Sequence, residues 1–145
     1  MISVDVSWQR RLGRIGSSLF HECVHIVCRH ARRRKAAVSF VLLDDERIRE
    51  LNRAYLEHDY ATDVITFSLG EPGALDGEIY IGVDVAVRQA REYGVPVREE
   101  VARLAIHGLL HLLGYDDRDA GSAAAMHQVQ ERLVAAWRGA SSHVD

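Results

Sequence analysis

Cysteine is scarce in this sequence, and its scarcity excludes a fold held together by disulfides. The chain has two cysteines among 145 residues, whereas small secreted domains that depend on disulfides contain several pairs. Cys23 and Cys28 are five positions apart in one predicted helix, which places their α-carbons roughly 8 Å apart, beyond the reach of a disulfide. We expect both thiols to be reduced and buried.

Long apolar runs and targeting signals are also lacking. No run of about 18 apolar residues, the length that predicts a membrane-spanning helix, occurs in the sequence. The first residues, MISVDVSW, do not combine a basic segment with an apolar one as a secretory signal does. We therefore expect a cytoplasmic protein. Repeats, low-complexity stretches and linker-like segments are absent too, so we expect one domain spanning residues 1–145, long enough to bury a core.

The charge of the chain is unevenly distributed. The net charge is −3, but residues 1–43 carry eight basic and two acidic side chains, a net of +6. The centre of this basic third is the run RHARRRK at 29–35. Two interpretations stay open: contact with nucleic-acid phosphates, or a solvated helix end whose cations satisfy the helix dipole.

The hydrophobic periodicity predicts an α+β fold, with a small mixed four-stranded sheet and helices packed on it. Asp44 or Asp45 is expected to cap the second helix, which should bury Ile48, Leu51 and Tyr55. The predicted order is β-α-β-α-β-β-α-α-α. The predicted strands are 2–8, 37–43, 63–69 and 77–83. The predicted helices are 9 to about 33, a second one that follows its cap and runs to about 56, 84–93, 98–113 and 123–137.

The run HGLLHLLGYDD at 107–117 predicts a metal site. His107 and His111 are one helical turn apart, so both imidazoles project from the same face and can bind one zinc ion. Gly114 can end the helix in a left-handed conformation. The chain then turns back, which brings Asp117 into the register of a third ligand, as in the metzincin pattern. Asp116 and Asp119 remain alternative third ligands.

Two observations bear on what such a site would do. The residues around the histidines are apolar, which predicts a buried helix in which polar groups need partners. Two core histidines bonded to backbone carbonyls are the alternative to a metal site. Position 108 is Gly, where a zinc peptidase carries the Glu that acts as general base. A peptidase is therefore disfavoured.

A second motif, HECVH at 21–25, matches the zinc-peptidase signature. The apolar stripe of its helix centres near Leu19 and Cys23, and both His21 and His25 fall on the polar side. No glycine turn with a third ligand follows. We do not expect a metal site there.

With these residues in view, the chain resembles the YbeY-type endoribonuclease family, the bacterial rRNA maturation factors, over nearly its whole length. The resemblance rests on LNRAYLEHDYATDVITF at 51–67, DGEIYI at 76–81 and HGLLHLLGYDD at 107–117. It implies a zincin-like metal helix and a single-metal hydrolase, usually with one Zn²⁺, that acts on single-stranded RNA. It also implies a role in rRNA processing at the 3′ end of the small-subunit rRNA, contact with ribosomal particles, and ribosome quality control. Carried over by position, the metal ligands are His107, His111 and Asp117.

The chain departs from this family at two positions. Asp117 stands where the family has a third His; a carboxylate is an acceptable zinc ligand, but its charge should weaken the ion as a Lewis acid and favours harder metals slightly. Leu56 stands where the family has an Arg that is considered important for activity. Arg53, one turn earlier, is a candidate to replace that guanidinium, or else a solvated surface residue.

Further site residues are implied less specifically. Thr62, Asp63 and Thr66 match family positions and are candidates to bind substrate, although Thr62 and Asp63 could instead only set the turn into the third strand. The general base stays unassigned, with Asp116 as a candidate. Three functions follow: a metal-dependent endoribonuclease, a ribosome-assembly or RNA-binding factor with a mainly structural metal, and, disfavoured by Gly108, a metallopeptidase.

Overall fold

The computed structural model of the chain describes residues 1–141. The nine elements follow the predicted order of strands and helices. They are β1 (Ile2–Trp8), α1 (Ser18–Ala31), β2 (Ala36–Leu43), α2 (Asp45–Leu56), β3 (Val64–Ser68), β4 (Asp76–Gly82), α3 (Val83–Tyr93), α4 (Val97–Leu113) and α5 (Ala120–Ser141). No helix within the described residues is long and apolar enough to cross a membrane.

The four strands form one mixed sheet, as predicted. Their spatial order is β1-β2-β4-β3. The first three of these run parallel to one another, and β3 pairs with β4 in the antiparallel direction. The sequence explains this arrangement. Helix α1 connects the parallel strands β1 and β2, and α2 followed by β3 forms the crossover from β2 to its parallel neighbour β4, whereas the direct connection from β3 to β4 permits an antiparallel pair. The strand β3 therefore lies at an edge of the sheet.

Helix α4 packs against the sheet through a glycine. Gly108 is buried, and a β-carbon added to it would lie 2.8 Å from Cγ2 of Ile79 on β4. Farther along α4, Leu112 lies close to Gly77, so the helix runs antiparallel to β4 and ends over the start of that strand. A side chain at 108 would point into the sheet. The glycine thus permits close packing at a position that a peptidase would use for its general base.

The core confirms most of the predicted burial. Cys23 and Cys28 are free and buried in α1. The second helix is capped by Asp44, whose side chain accepts a hydrogen bond of 2.9 Å from the amide of Arg47. The prediction for Tyr55 was wrong: its side chain is 68% exposed and packs edge-on against Phe67 with ring centroids 5.6 Å apart.

Two helix boundaries were also predicted wrongly. The first helix begins at Ser18 rather than Gln9, because Gly13 adopts a left-handed φ of 47° that interrupts helical geometry. The last helix begins at Ala120 rather than at 123. Asp119 precedes it, and its carboxylate accepts a hydrogen bond of 2.8 Å from the amide of Ser122, which makes it an effective N-cap.

Candidate metal centre

The end of α4 brings together two imidazoles and a carboxylate. Gly114 ends the helix with a left-handed φ of 110°, as its position predicted. The chain then turns back and places Asp117 beside His107 and His111. One ligand atom from each of these three side chains lies within 4.8 Å of the others, and this group could hold a metal ion. Among residues 1–141, no other three histidine, cysteine, aspartate or glutamate side chains bring their ligand atoms this close together.

Each imidazole is oriented by an acceptor on its Nδ1 atom. His111 Nδ1 lies 3.1 Å from the carbonyl oxygen of Tyr115. His107 Nδ1 lies 2.7 Å from Oε1 of Gln130 on α5. The other end of that amide, Nε2, donates to a carboxylate oxygen of Glu131 at 3.2 Å, and since a carboxylate only accepts, the amide oxygen must face His107. Both Nδ1 atoms therefore carry the proton.

The two Nε2 atoms then face each other without a proton between them. They are 3.0 Å apart, a distance at which two unprotonated nitrogens repel unless a cation lies between them. Two nitrogens bound to one tetrahedral zinc ion at 2.0–2.1 Å would be about 3.3 Å apart. Burial, and to a lesser extent the proximity of a second imidazole that would repel an added proton, lower the pKa of His111, which favours its neutral, ligating form. The donor set thus fits a divalent metal.

The two alternative third ligands are engaged elsewhere. Asp116 binds the guanidinium of Arg118 at 3.2 Å and also accepts from its amide. Asp119 caps α5 through Ser122, and these hydrogen bonds lower the pKa of its carboxyl group. Asp117 is exposed and is the aspartate that joins the histidines. The geometry therefore favours Asp117 over its two neighbours.

A cleft of about 390 Å³ surrounds the three side chains. Its floor combines the end of α4 with the edge strand β3. Leu56, at the end of α2, lies in the lining where the resemblance implies a cation, whereas Arg53 is exposed on α2 and outside the lining. The lining consists of Leu56, Asp63, Val64, Ile65, Thr66, Ser68, His107, His111, Leu112 and Asp117.

The candidate substrate-binding residues occupy different places. Asp63 and Thr66 both line the cleft, whereas Thr62 does not. Thr62 lies next to Asp63 just before β3, with its hydroxyl 3.5 Å from an oxygen of the Asp63 carboxylate. Gln89 donates to the other oxygen of Asp63 at 3.2 Å. The carboxylate of Asp63 is thus held at the rim of the cleft.

A second cavity of about 460 Å³ adjoins the cleft, and Asp63 and His107 line both. Its lining includes Glu100, Arg103 and Glu131, which belong to an ion-pair network that connects α4 with α5. Arg103 binds Glu99 at 3.2 Å, Glu100 at 3.1 Å and Glu131 at 2.8 Å. Glu131 in turn accepts from Gln130, so the network extends to the amide that orients His107. The packing of α4 on α5 is therefore linked to the metal centre.

Gln130 is a site residue that the sequence reasoning missed. It is 7% exposed and lies on the buried face of α5, one turn from Met126 and from Val134. A polar residue on an otherwise apolar helical stripe is the sequence signal that could have identified it, because buried amides need partners. Its partner, however, lies on another helix, and only the tertiary structure supplies that information.

We expect Gln130→Leu to weaken zinc binding by roughly 10–100-fold, as loss of a group that orients a ligating His generally does. The leucine has a similar volume but leaves the Nδ1 proton of His107 without an acceptor. Zinc affinity measured by competition with a chromogenic chelator tests this. Gln128→Leu, an exposed position on the same helix, is the matched control and should bind zinc like the parent. Equal affinity in both variants would contradict the assigned role.

The second histidine motif forms no comparable centre. His21 and His25 are both exposed on α1, as the position of the apolar stripe predicted. Within residues 1–141, neither belongs to a group of three possible ligands that lie close enough together to share an ion.

The chain is similar to known proteins over most of its length. The family model described as Endoribonuclease YbeY matches residues 9–138. A protein named Endoribonuclease YbeY from Chlorobaculum parvum is 37% identical over 129 residues, covering 89% of this chain and 92% of the relative. One of the same name from Moorella thermoacetica is 47% identical over 113 residues, covering 70% and 72%. The solution structure of TM1509 from Thermotoga maritima superimposes with a TM-score of 0.70 at 28% identity, covering 99% of this chain and 93% of that one. The chain belongs to the Endoribonuclease YbeY family.

Proposed function

We propose that this chain is a metal-dependent endoribonuclease that cuts single-stranded RNA with one zinc ion held by His107, His111 and Asp117. The observation that carries the proposal is the pair of Nε2 atoms 3.0 Å apart, each left unprotonated by an acceptor on the far side of its ring. The names of the relatives supply the substrate class. We further propose that the chain works as one domain, residues 1–145, in the cytoplasm.

The biological role proposed is maturation of the 3′ end of small-subunit rRNA, together with ribosome quality control. Both roles require contact with ribosomal particles. They follow from the family resemblance rather than from any surface of this chain.

The chemistry proposed uses few protein groups. When bound, a zinc ion with three protein ligands supplies a Lewis acid with a fourth position open to water or a phosphoryl oxygen. RNA carries its own nucleophile, the 2′-hydroxyl. Its attack on the adjacent phosphorus would form a 2′,3′-cyclic phosphate and break the bond to the 5′-oxygen, which would leave as a hydroxyl after taking a proton from water. We assign acceptance of the 2′-hydroxyl proton to Asp63, since that carboxylate faces the cleft and is held by Gln89. Asp116 is the second candidate for this general base, because its carboxylate already binds the guanidinium of Arg118. Thr66 offers a hydroxyl to the RNA strand.

A binding factor with a structural metal is the second candidate. Leu56 favours it, because this 45% exposed side chain provides no cation at the cleft. Transition states of phosphoryl transfer gain from guanidinium groups. A peptidase remains disfavoured, since a glutamate at position 108 would collide with Ile79 rather than reach the cleft.

The deciding experiment is digestion of a labelled single-stranded RNA by the zinc-loaded protein, with a duplex of the same sequence alongside. We expect cleavage of the single strand, its loss on chelation and its return with added zinc. Protein carrying His107→Ala, purified in the same way, excludes contaminating nucleases. RNA binding without cleavage by the folded, zinc-loaded protein would support the binding factor instead. In that case Leu56→Arg tests whether the missing cation is the reason.

A further inference from the structure

One strongly charged surface has no role in the site described above. It is the segment 29–35, from the last turn of α1 to the start of β2, which we name the basic turn. Its five cationic side chains are all exposed, and within residues 1–141 none of them makes an ion pair. These side chains belong to Arg29, Arg32, Arg33, Arg34 and Lys35.

The basic turn differs from the rest of the described surface in its density of unpaired cations. Five other arginines in the described residues also make no ion pair, but no more than two of them fall within any seven consecutive residues: Arg11, Arg14, Arg53, Arg91 and Arg132. The chain as a whole has 21 acidic residues against 18 basic ones. Seven arginines elsewhere each contact at least one carboxylate: Arg10, Arg47, Arg49, Arg88, Arg103, Arg118 and Arg138. Five like charges within seven residues repel one another, so an unpaired cluster in an acidic protein indicates an anionic partner.

The helix dipole accounts for only part of the cluster. Arg29 lies in the last turn of α1, where a cation is stabilised by the carboxyl end of the helix. That stabilisation falls off within the last turn. Arg33, Arg34 and Lys35 lie beyond Ala31, where the helix ends, and gain little from it.

The basic turn lies beside the candidate metal centre. His30, within the turn, has its Nε2 atom 3.4 Å from the hydroxyl of Tyr115. The backbone carbonyl of Tyr115 is the acceptor that orients His111. Lys35 directly precedes β2, and α4 ends over the neighbouring start of β4, so both features occupy the same end of the sheet. The basic turn does not line the cleft itself, so a strand of RNA bound there would reach it by passing over the end of α4 near Tyr115.

We propose that the basic turn binds backbone phosphates of the RNA strand on one side of the cleavage point. The inference rests on the proposed function for the identity of the polyanion. Contacts to phosphates are independent of sequence and strongly dependent on salt, because each neutralised phosphate releases counterions. The basic turn thus adds affinity for longer strands, and a fragment confined to the cleft gains nothing from it.

The test measures how RNA affinity depends on salt for the zinc-loaded protein, using a 2′-O-methyl strand of about 16 nucleotides as a probe that lacks the free 2′-hydroxyl. The triple variant R29Q/R33Q/R34Q should make the slope of log K against log salt less steep by about 2, at roughly 0.7 per cation for single strands. The matched control is R10Q/R47Q/R88Q, which changes the net charge equally.

The control residues are paired with Asp84, Asp44 and Asp45 and lie near the other end of β2. The control should keep the parental slope. Cleavage adds a second measurement: the basic-turn variant should cut a strand of about 16 nucleotides more slowly than the parent but one of about 4 nucleotides equally fast. Thermal unfolding should confirm that both variants are folded.

An unchanged slope in the basic-turn variant, or an equal loss in both triple variants, overturns the inference. So does binding to anionic phospholipid vesicles in the absence of binding to RNA. Failure of the proposed function is distinguishable: no protein would then cleave RNA, while the difference in slope between the two triple variants would persist. Conversely, if RNA is cleaved normally but the slope of log K against log salt is the same in the parent and the basic-turn variant, only the proposed role of the basic turn is wrong.

Discussion

His107→Ala is expected to abolish stoichiometric zinc binding, and Asp117→Ala is expected to reduce it strongly. Each change removes a ligand, so each should cost more than the roughly 10–100-fold loss expected for a residue that only orients one. The loss of zinc affinity should be larger for His107→Ala, because this change also leaves Gln130 without the imidazole partner that lies 2.7 Å from its side-chain oxygen. Elemental analysis of the purified variants, followed by a chelator competition, measures both effects.

The control uses the second histidine motif of the same chain. His21→Ala and His25→Ala remove exposed imidazoles from α1 and should leave the zinc content unchanged. Asp117→His provides a further control, since it replaces an oxygen ligand by a nitrogen ligand at the same position and should retain zinc. Full zinc content in Asp117→Ala would move the third ligand elsewhere, and loss of zinc from His25→Ala would place the centre on α1.

The metal helix is the part of the structure that the sequence predicted best. The sequence features that predict it all lie within one helix and its terminal turn. They are the spacing of four between His107 and His111, the glycine at 114 and the aspartate three positions later. In the structure, one ligand atom from each of the two histidines and from Asp117 lies within 4.8 Å of the other two. Local geometry of this kind depends little on the rest of the fold.

Errors arose where tertiary contacts or glycine geometry decide the outcome. Tyr55 follows the helical period of Ile48 and Leu51, yet its side chain is largely exposed and its ring packs edge-on against Phe67 of the edge strand β3. The left-handed Gly13 delays the start of α1, although the flanking residues continue the apolar pattern. Periodicity reports which residues are apolar and not where the neighbouring element ends.

The partners of the site could not be predicted, because they come from distant parts of the chain. Gln130 approaches His107 only through the packing of α5 on α4. Asp63 was a candidate from the resemblance, but its place between two cavities depends on how β3, α3 and α4 meet. Roles of this kind require three-dimensional structure.

Arg103→Met is expected to destabilise the protein by about 3–5 kcal/mol at neutral pH, the usual cost of breaking a buried ion pair from one side. Glu100 is 2% exposed, and the side chain of Arg103 is 16% exposed. Once the guanidinium is removed, the carboxylate of Glu100 stays in the interior with no cation to neutralise it. Urea unfolding at equilibrium measures the change. Arg88→Met is the control: it breaks an exposed pair with Asp45 and should cost less than about 1 kcal/mol.

The loss of stability caused by Arg103→Met should become smaller as the pH falls. Burial already raises the pKa of Glu100, and the hydrogen bond from Arg103 opposes that rise. In the variant this pKa moves higher, so acid neutralises the stranded charge. The hydrogen bond from Arg103 also lowers the pKa of Glu131. This contribution to the stability of the parent is fully present above the unfolded pKa of Glu131 and is lost as the pH falls through its lower folded pKa. Protonation of Glu100 in the variant should therefore make the difference between parent and variant smaller at about pH 5 than at neutral pH, and loss of the Glu131 contribution should reduce it further only at lower pH.

Glu100→Gln in the Arg103→Met background separates the charge from the packing. If the uncompensated carboxylate causes the loss, the double variant should recover much of it at neutral pH and lose its pH dependence. A loss that persists at all pH values in the double variant would instead assign the effect to the packing of the Arg103 stem. Zinc affinity should fall in Arg103→Met as well, because Glu131 then no longer anchors Gln130 in the orientation that fixes His107.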